Sequence, residues 1–436
     1  MNILNLDTLK ILECKENEHD YLVAAELVSP PYVCPLCGVA RPQTKRFGKK
    51  NQLYMDTPIH AKRVGIMINR QRYRCVECDG TFWELLPMID DSHKATKRLV
   101  EFICKQSLRR TFTSIADDVG VTEGTIRNIF HIHVNELEKD RITVTPQWLG
   151  IDEIHIIKKP RCVITNIQEN TLVDLLPNRN KETVLQYLFN LPFKEEIEFV
   201  TMDMWAPYRD AVRVQLPQAT VIVDKFHIVK MANECLNTVR KSIRNELSIK
   251  ARRSLMHDRF ILLKRRHGLT MKDQLTLESW TLNYPLLGLS YQLKEDFFDI
   301  WNNDDRQEAE RCYQQWLNQL TPEAKDAFKP LVTAMKNWHN EIFTYFEIPL
   351  TNAYTESFNN LIRITNRIGR GYSFEVLRAK MLFTNGGKKV SLPKYDADVF
   401  CGLYVPDEEI FKDVFLNKYA TFGIDISTLA AILEQD

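Results

Sequence analysis

The chain has 436 residues, of which 44% are hydrophobic and 26% are charged. These proportions are typical of folded globular proteins and exclude a chain that is disordered throughout, and the length predicts about three domains. The 58 Lys and Arg residues balance the 57 Asp and Glu residues, so the net charge of +1 gives no sign of a polyanionic partner. No apolar run reaches the roughly 18 residues that span a bilayer, and the first residues lack the pattern of a secretory signal. We therefore expect a cytoplasmic protein that has no membrane partner.

Two C-x-x-C pairs predict a metal site near the N-terminus. Cys34 and Cys37 form the first pair, and Cys75 and Cys78 form the second. Two thiolates three positions apart can reach one cation, and four thiolates close a tetrahedral structural zinc site that leaves no position open for water. The connector between the pairs has 37 residues, which is long for such a site and predicts an inserted hairpin. The alternatives are two unrelated reduced pairs, or a site in which His60 replaces one thiolate.

The segment of residues 112–130 has the pattern of a helix-turn-helix. Its apolar residues are spaced for the inner faces of two helices, Gly120 permits a sharp turn, and Thr122 can cap the second helix. Four polar side chains remain near the outer side of the second helix, where a recognition helix contacts bases and phosphates: Glu123, Thr125, Arg127 and Asn128, of which the last three are the candidate DNA contacts. The alternative is an ordinary helical hairpin, but the neighbouring basic zinc module favours DNA binding.

Positive charge is concentrated in three segments despite the overall balance. The first lies between the cysteine pairs, at residues 41–74, and the second spans residues 240–266. The third follows the acid at position 356 and contains these cations: Arg363, Arg367, Arg370, Arg378 and Lys380. Clusters of Lys and Arg are the pattern expected for binding the phosphate backbone of double-stranded DNA, although each run could be an ordinary solvated face. Arg363 and Arg367 are the candidate DNA contacts of the third segment.

Residues 146–229 have the pattern of a catalytic core in which acids lie within or at the ends of apolar strands. Three apolar strands, a helix, a fourth strand, a second helix and a fifth strand follow one another, which is the order of a ribonuclease-H-like core. Asp152 lies within the first strand and Asp203 at the end of the fourth, so the two are expected to lie close together. An ionised carboxylate in an apolar strand is costly unless it is paired or binds a metal.

A third acid, Glu356, lies on a later helix whose apolar face is formed by other residues. Three carboxylates can hold two Mg²⁺ ions, or Mn²⁺, which activate a nucleophile and stabilise the leaving oxygen at a phosphodiester. Taken singly, Asp203 could cap the helix that follows it and Glu356 could be a surface acid. Their order along the chain favours a catalytic site.

The succession of motifs resembles the transposases of the ISL-three family of bacterial insertion sequences, from about residue 30 to residue 390. Besides the cysteines and the helix-turn-helix, four sequences carry the resemblance: Gly-Ile-Asp152-Glu, Met-Asp203-Met-Trp, Val-Asp224-Lys-Phe-His227 and Asn352-Ala-Tyr-Thr-Glu356-Ser-Phe-Asn-Asn. It implies a DDE enzyme with Asp152, Asp203 and Glu356 as metal ligands, and a helical insertion before the last acid. It also implies that Asp224 and His227 form an Asp/Cys-x-x-His signature beside the catalytic acids. Two alternatives stay open: Asp224 replaces Asp203 as the second ligand, or His227 is only a helix-start histidine.

The predicted fold is a multidomain α/β chain with a ribonuclease-H-like mixed sheet core and a long all-α insertion, preceded by a zinc-binding β module and a helix-turn-helix. The predicted segments are the zinc module at 1–90, the helix-turn-helix at 93–140, the core at 146–229, the insertion at 230–345, the second part of the core at 346–390 and a tail at 391–436.

The predicted function is that of a DNA transposase which binds terminal inverted repeats and catalyses metal-dependent strand cleavage and strand transfer. Pairing two element ends and joining them to target DNA implies a homodimer or a higher oligomer on DNA, associated with the nucleoid of a bacterial cell. The rivals are a non-catalytic sequence-specific DNA-binding protein, such as a repressor or a domesticated transposase, and a nuclease on the same core.

Overall fold

The computed structural model describes residues 6, 8–29, 31–244 and 247–385. The chain up to Ile142, together with Ile368–Arg370, forms a first compact unit, and a second unit begins at Thr143. The predicted tail at 391–436 and the last five residues of the predicted segment 346–390 lie outside the described part. Among the helices of that part, none combines the length and the apolar character that a membrane span requires.

The first unit is built on a seven-stranded sheet. Its strands are β1 (Leu9–Glu16), β2 (Asp20–Leu27), β3 (Thr44–Ile59), β4 (Lys62–Cys75), β5 (Thr81–Trp83), β6 (Ile89–Asp90) and β7 (Ala95–Thr96). Their order is β1-β2-β4-β3-β7-β6, and β5 pairs with the end of β4. β3 and β4 form the long antiparallel hairpin expected between the cysteine pairs. Val64, Ile66 and Ile68 of β4 are buried in one apolar cluster because alternate side chains of a strand share a face.

Three helices follow in the first unit: α1 (Lys97–Arg109), α2 (Phe112–Val119) and α3 (Glu123–Asp140). Between α2 and α3, Gly120 has a φ of 71°, a left-handed conformation that glycine adopts without strain. The side chain of Thr122 caps α3 and accepts a hydrogen bond from the backbone N–H of Thr125 at 3.2 Å. The apolar residues predicted to face inward are buried: Ile115, Ala116, Val119, Ile126, Ile129 and Phe130. The two helices therefore have the turn, the cap and the buried face that the sequence predicts.

The second unit contains a five-stranded mixed sheet. Its strands are β8 (Trp148–Ile156), β9 (Lys159–Asn166), β10 (Thr171–Leu176), β11 (Phe199–Met202) and β12 (Thr220–Val223). Their order is β10-β9-β8-β11-β12; the pairs among β8, β9 and β10 are antiparallel, and β11 is parallel to both β8 and β12. The two helices between these strands, α4 (Lys181–Phe189) and α5 (Ala206–Gln215), share an apolar cluster with β8 and β11.

The rest of the second unit is helical. Its α-helices are α6 (Lys225–Ile243), α7 (Ile249–His257), α8 (Arg259–Leu263), α9 (Met271–Asn283), α10 (Pro285–Asp299), α11 (Arg306–Asn318), α12 (Pro322–Asn337), α13 (His339–Phe343), α14 (Ala353–Gly369) and α15 (Phe374–Lys380). Trp316 of α11 is buried against the rings of Phe297, Tyr313 and Phe328. The segment from α6 to α13 thus has an aromatic core of its own.

Several cations of the predicted phosphate-binding segments stabilise the fold instead. Five of them are buried or paired with acids: Arg240, Lys264, Arg265, Arg378 and Lys380. Arg378 of α15, for example, donates to both carboxylate oxygens of the buried Asp174 on β10, at 2.8 and 3.0 Å. A cation in such a pair is partly neutralised and contributes less charge to a phosphate-binding surface. Phosphate binding by these five residues stays a prediction.

Candidate active site and zinc centre

The two C-x-x-C pairs meet at one point of the first unit. The Sγ atoms of Cys34, Cys37, Cys75 and Cys78 all lie within 4.8 Å of one another, and the Cys34–Cys78 and Cys37–Cys75 separations are both 3.9 Å. A zinc ion with four Zn–S bonds of about 2.3 Å has sulfur–sulfur edges of about 3.8 Å, so these thiols have the spacing of zinc ligands. His60 is not part of the cluster. The four predicted cysteines are therefore the set that the fold assembles.

Each cysteine pair lies on a tight turn whose backbone favours the thiolate. A residue in the left-handed conformation follows the second cysteine of each pair: Gly38 has a φ of 74° and Asp79 a φ of 57°. Burial opposes the ionisation of Cys34, but hydrogen bonds from the backbone N–H groups of Cys37 and Leu36, together with those from the thiols of Cys37 and Cys75, lower the pKa of Cys34 to about 7, whereas the pKa values of Cys37, Cys75 and Cys78 are raised. A metal binds the thiolate and not the thiol, so the backbone N–H groups of these turns favour the form of the sulfur that binds a cation.

Three acids of the second unit meet at one edge of the five-stranded sheet. β11 runs parallel to β8 with Met202 beside Ile151, so Asp203 follows next to Asp152. β12 runs parallel to β11, and Asp224 follows it in the same way. Asp152 and Asp224 are 5% and 2% exposed. Parallel pairing thus brings together carboxylates that lie far apart in the chain.

A buried polar network holds the start of α14 against this sheet. The side chain of Asn352 donates to the backbone carbonyl of Ile151 at 3.3 Å. Its Oδ1 accepts hydrogen bonds from the hydroxyls of Thr201 on β11 at 3.3 Å and Thr355 on α14 at 2.5 Å. Asn352 therefore joins the two central strands to the helix that carries the last acid.

Gly150 provides the room for this network. A Cβ atom at this position would lie 2.4 Å from Thr165 Oγ1, 2.7 Å from Asn352 Oδ1 and 2.8 Å from Thr355 Oγ1. The Thr165 and Thr355 hydroxyls are themselves 2.6 Å apart. Because Glu356 is the next residue of α14, this close contact fixes where its carboxylate lies relative to the strands.

Glu356 lies beside Asp224 and His227. Each of the three residues offers one ligand atom, and these three atoms all lie within 4.8 Å of one another. His227 Nε2 is 3.5 Å from Glu356 Oε1. Asp224 caps α6, since its Oδ1 accepts a hydrogen bond from the backbone N–H of Phe226 at 3.2 Å. Its other oxygen, Oδ2, is buried and has no hydrogen-bond partner among the described residues. These three groups could hold a metal ion.

Burial and mutual repulsion raise the pKa values of the acids. The pKa of Asp152 rises to about 8, because its carboxyl is buried and lies in the fields of Asp203, Glu356 and Asp224. Burial, and then the charge of Asp224, raises the pKa of Glu356 to about 7. Burial also raises the pKa values of Asp203 and Asp224. Nearby cations such as Lys230, Arg363 and Arg179 lower the pKa values of Glu356 and Asp203 only in part, so burial and negative charge dominate, and bound divalent cations would offset them.

Sequence reasoning missed the roles of Asn352 and Asn359. Asn359 is 2% exposed, and its Nδ2 donates to Asp152 Oδ2 at 2.7 Å. Asn352, Glu356 and Asn359 are spaced i, i+4 and i+7, which places them on one face of a helix. This polar stripe is the signal in the sequence, and it shows that the face bearing Glu356 is directed at the acids.

The predicted DNA contacts lie on two helices: Thr125, Arg127 and Asn128 on α3, and Arg363 and Arg367 on α14. Thr125 is half-buried, and the other four are exposed. Arg127 donates to Glu123 at 2.6 Å and lies over the ring of Phe112. Arg363 donates to Asn360 at 2.9 Å. Arg127 is therefore already partly neutralised within its own helix.

Three family models match the chain. Residues 149–381, more than half of the chain, match a family described as a transposase. Residues 30–78 match the zinc-finger of transposase IS204/IS1001/IS1096/IS1165, and residues 84–134 match the helix-turn-helix domain of transposase family ISL3. The first match contains all the clustered acids, and the second contains all four cysteines.

Similar proteins are also transposases. The chain is 26% identical over 333 residues to the transposase for insertion sequence element IS1001 of Bordetella parapertussis, a match that covers 73% of this chain and 80% of that protein. It is 24% identical over 273 residues to the transposase for insertion sequence element IS1557 of Mycobacterium tuberculosis, covering 56% of this chain and 61% of the relative. With its zinc site, its helix-turn-helix and its acid-bearing sheet, this chain belongs to the ISL3 family of transposases.

Proposed function

We propose that this transposase cleaves DNA at the ends of an insertion sequence and joins the released ends to target DNA at the acids of its second unit. The convergence of acids from β8, β11 and α14 at one edge of the sheet carries the proposal. The strand order β10-β9-β8-β11-β12, with three antiparallel strands followed by two parallel ones, supports a ribonuclease-H-like core. Asp152, Asp203 and Glu356 then have the roles of the three DDE acids.

The cluster fits divalent cations. Asp203 Oδ1 and Asp224 Oδ2 are buried, and neither has a hydrogen-bond partner in the described part of the chain. Hard cations such as Mg²⁺ and Mn²⁺ prefer carboxylate oxygens. We assign Asp152, Asp203 and Glu356 as their ligands. When bound, such ions would stabilise the negative charge that develops at the scissile phosphate and activate its nucleophile.

The neighbouring side chains orient these acids and the DNA. Asn359 and the backbone N–H of Glu153 each donate to one oxygen of Asp152, at 2.7 Å in both cases, which fixes the plane of that carboxylate. His227 Nε2 has no hydrogen-bond partner among the described residues, so it is placed to donate to a phosphate oxygen beside Glu356. Asp224 and His227 thus complete the site.

A second assignment makes Asp224 a metal ligand in place of Asp203. One observation favours it: Asp224, and not Asp203, belongs to the group of ligand atoms that lie within 4.8 Å of one another together with Glu356 and His227. The register of β11 beside β8 favours Asp203, which follows next to Asp152. The Asp203→Asn and Asp224→Asn variants separate the two assignments.

DNA recognition belongs to the first unit in this proposal. The zinc module and the helix-turn-helix bind the terminal inverted repeats, and Thr125, Arg127 and Asn128 near the start of α3 contact the bases. Arg363 and Arg367, which follow Glu356 on α14, contact phosphates of the strand that is cut. Cleavage at both ends of an element requires at least two copies of the chain on the DNA.

The test uses purified full-length protein, Mg²⁺ and a labelled duplex that carries the ends bracketing this reading frame. We expect cleavage that releases a 3′-hydroxyl, followed by joined products. Asp152→Asn, Asp203→Asn and Glu356→Gln should abolish both steps and leave end binding intact. The exposed Glu195→Gln is the matched control and should be fully active.

Binding without cleavage by the wild-type chain would support a non-catalytic DNA-binding protein, and cleavage without joined products would support a nuclease. If Asp224→Asn abolishes cleavage and metal binding while Asp203→Asn keeps both, the second assignment of the ligands holds. Full activity of Asp152→Asn would remove this acid from the site.

A further inference from the structure

The helix-turn-helix carries little of the charge that DNA binding requires. α2 and α3 together contain six acids: Asp117, Asp118, Glu123, Glu136, Glu138 and Asp140. Their only cations are Arg127 and Lys139, and Arg127 is paired with Glu123. Most of the affinity of a protein for duplex DNA comes from Lys and Arg residues that neutralise phosphates. Another surface of the first unit must supply this charge.

The β3–β4 hairpin and β5 provide such a surface. The register pairs Lys45 with Arg74 and Lys50 with Arg70 across the hairpin, and Arg72 with Trp83 across β4 and β5. Side chains of paired residues lie on the same face of a sheet, and alternate residues of β4 share that face. We call this the ribbon face and define it by these residues: Lys45, Phe47, Lys50, Arg72, Arg74 and Trp83.

Aromatic rings hold Arg72 of the ribbon face in place, whereas Arg74, which lies over the ring of Phe47, is also paired with Asp79 at 2.5 Å. The guanidinium of Arg72 lies between the rings of Phe47 and Trp83, at 5.7 and 5.8 Å from their centroids. Its Nη2 donates to the hydroxyl of Thr81 at 2.7 Å and not to a carboxylate, so its charge is not neutralised. A stacked, oriented guanidinium loses little conformational freedom when it binds a phosphate.

Four cations of β3 are exposed and form no ion pair with a described residue, unlike Lys62 of β4, which is paired with Glu16. Lys45, Arg46, Lys49 and Lys50 are all exposed, and none of them forms an ion pair with a described residue. This differs from the basic segment at 240–266, where Lys264 and Arg265 are paired with acids. A β-bulge between Arg46 and Lys49 turns cations to both faces of the strand.

We propose that the ribbon face binds the sugar-phosphate backbone of duplex DNA without regard to sequence, while α3 reads the bases. The proposal rests on the proposed function, because its ligand is the same DNA. It assigns affinity and specificity to different elements of the first unit. Loss of ribbon charge should weaken binding to every duplex by the same factor.

The experiment measures the affinity of the full-length protein for two labelled duplexes, the element end and an unrelated sequence, over a series of salt concentrations. Lys45→Gln/Lys50→Gln should make the negative slope of log K against log salt shallower by about two. The affinity for both duplexes should fall on the order of tenfold. Asn128→Ala should leave the slope unchanged and reduce the preference for the element end.

Two controls separate charge at the ribbon face from charge in general. Lys10→Gln/Lys15→Gln removes the same charge from exposed positions of β1 and should bind like the wild type. Lys45→Arg/Lys50→Arg keeps the charge at the ribbon face and should retain the wild-type slope. Equal zinc content and equal thermal midpoints show that all variants are folded.

Failure of this inference is distinguishable from failure of the proposed function. If the wild-type chain binds DNA and Lys45→Gln/Lys50→Gln shows the wild-type slope, the ribbon face is not the backbone-binding surface. A loss of affinity in Lys45→Gln/Lys50→Gln that is limited to the element end would also overturn the proposal, because the ribbon face would then recognise sequence. If the wild-type chain binds neither duplex, the proposed function fails as well.

Discussion

The protein contains two clusters of anionic ligands that differ in how the chain brings them together. The four cysteines come from two local turns, and the pKa of Cys34 is lowered while the pKa values of the other three are raised. The acids come from three strands and a distant helix, and their burial and repulsion raise their pKa values. A closed thiolate site adds its metal-binding energy to folding. Buried carboxylates that repel one another oppose folding until cations are bound.

This difference separates a structural site from a catalytic one. The zinc site has its four ligands and leaves no position for a substrate. The acid cluster keeps Asp203 Oδ1, Asp224 Oδ2 and His227 Nε2 without hydrogen-bond partners in the part that the structure describes. Such atoms are costly to bury, and this cost is consistent with a site that must accept cations and phosphate.

The largest effect is expected from loss of the zinc ligands. Cys75→Ser, or removal of zinc by a chelator, should unfold the two turns, because structural zinc contributes on the order of 10 kcal/mol to small metal modules. Hydrogen exchange should show lost protection near Cys34 and Phe82, which share a small apolar cluster with Cys75. The exposed Cys14→Ser is the control and should have no effect. Unchanged protection in Cys75→Ser would mean that the turns do not depend on zinc.

Asp152→Asn tests whether the acid cluster opposes folding when no cation is bound. Catalysis should fall by at least a hundredfold, since bound cations contribute several kcal/mol of transition-state stabilisation. In metal-free buffer at neutral pH the variant should nevertheless be more stable than the wild type, by about 1–3 kcal/mol, because the wild-type Asp152, whose pKa is raised to about 8, must either take up a proton or bury its charge among like charges when the chain folds. Denaturant unfolding measures the stability change. Mg²⁺ should raise the midpoint of the wild type more than that of the variant, and a less stable variant would contradict the comparison.

Gly150→Ala tests whether the position of Glu356 depends on the contact between α14 and the sheet. The new Cβ would meet the hydroxyls of Thr165 and Thr355, so we expect a loss of about 1–3 kcal/mol in unfolding free energy and at least a tenfold loss of cleavage. Gly268→Ala is the matched control, because nothing lies within 4 Å of its Cβ position. Activity of Gly150→Ala equal to that of the control would show that α14 tolerates displacement.

The smallest effect is expected at Asn359. Asn359→Ala removes one donor to Asp152, and a hydrogen bond to a charged group contributes roughly 1.5–3 kcal/mol. Cleavage should fall by about tenfold or more, with a higher Mg²⁺ concentration for half-maximal activity and little change in DNA binding. The exposed neighbour Asn360→Ala should be unaffected. An unchanged Mg²⁺ dependence of Asn359→Ala would mean that Asn359 does not orient the ligand.

Much of the fold and part of the site could be predicted from the sequence. The alternation of Val64, Ile66 and Ile68 predicts a strand, and Gly120 with Thr122 predicts the turn and the cap of the helix-turn-helix; the structure has both. The pattern of the basic segments was less informative. Lys264 and Arg378 have the same sequence signature as Lys45, but Lys264 is paired with Asp273, nine residues along the chain, and Arg378 is paired with Asp174 on a distant strand.

The features that depend on neighbouring residues could be predicted from the amino-acid order: the zinc ligands, the caps and turns, and the succession of strands and helices. Local spacing decides these because a knuckle, a cap or an alternating strand is made within a few residues. The folded chain was needed to establish which side of α14 faces the sheet, how closely Asp224 approaches Glu356, and which cations remain exposed. Those outcomes depend on pairing between distant segments, where burial and hydrogen bonding of the whole chain select one arrangement among many.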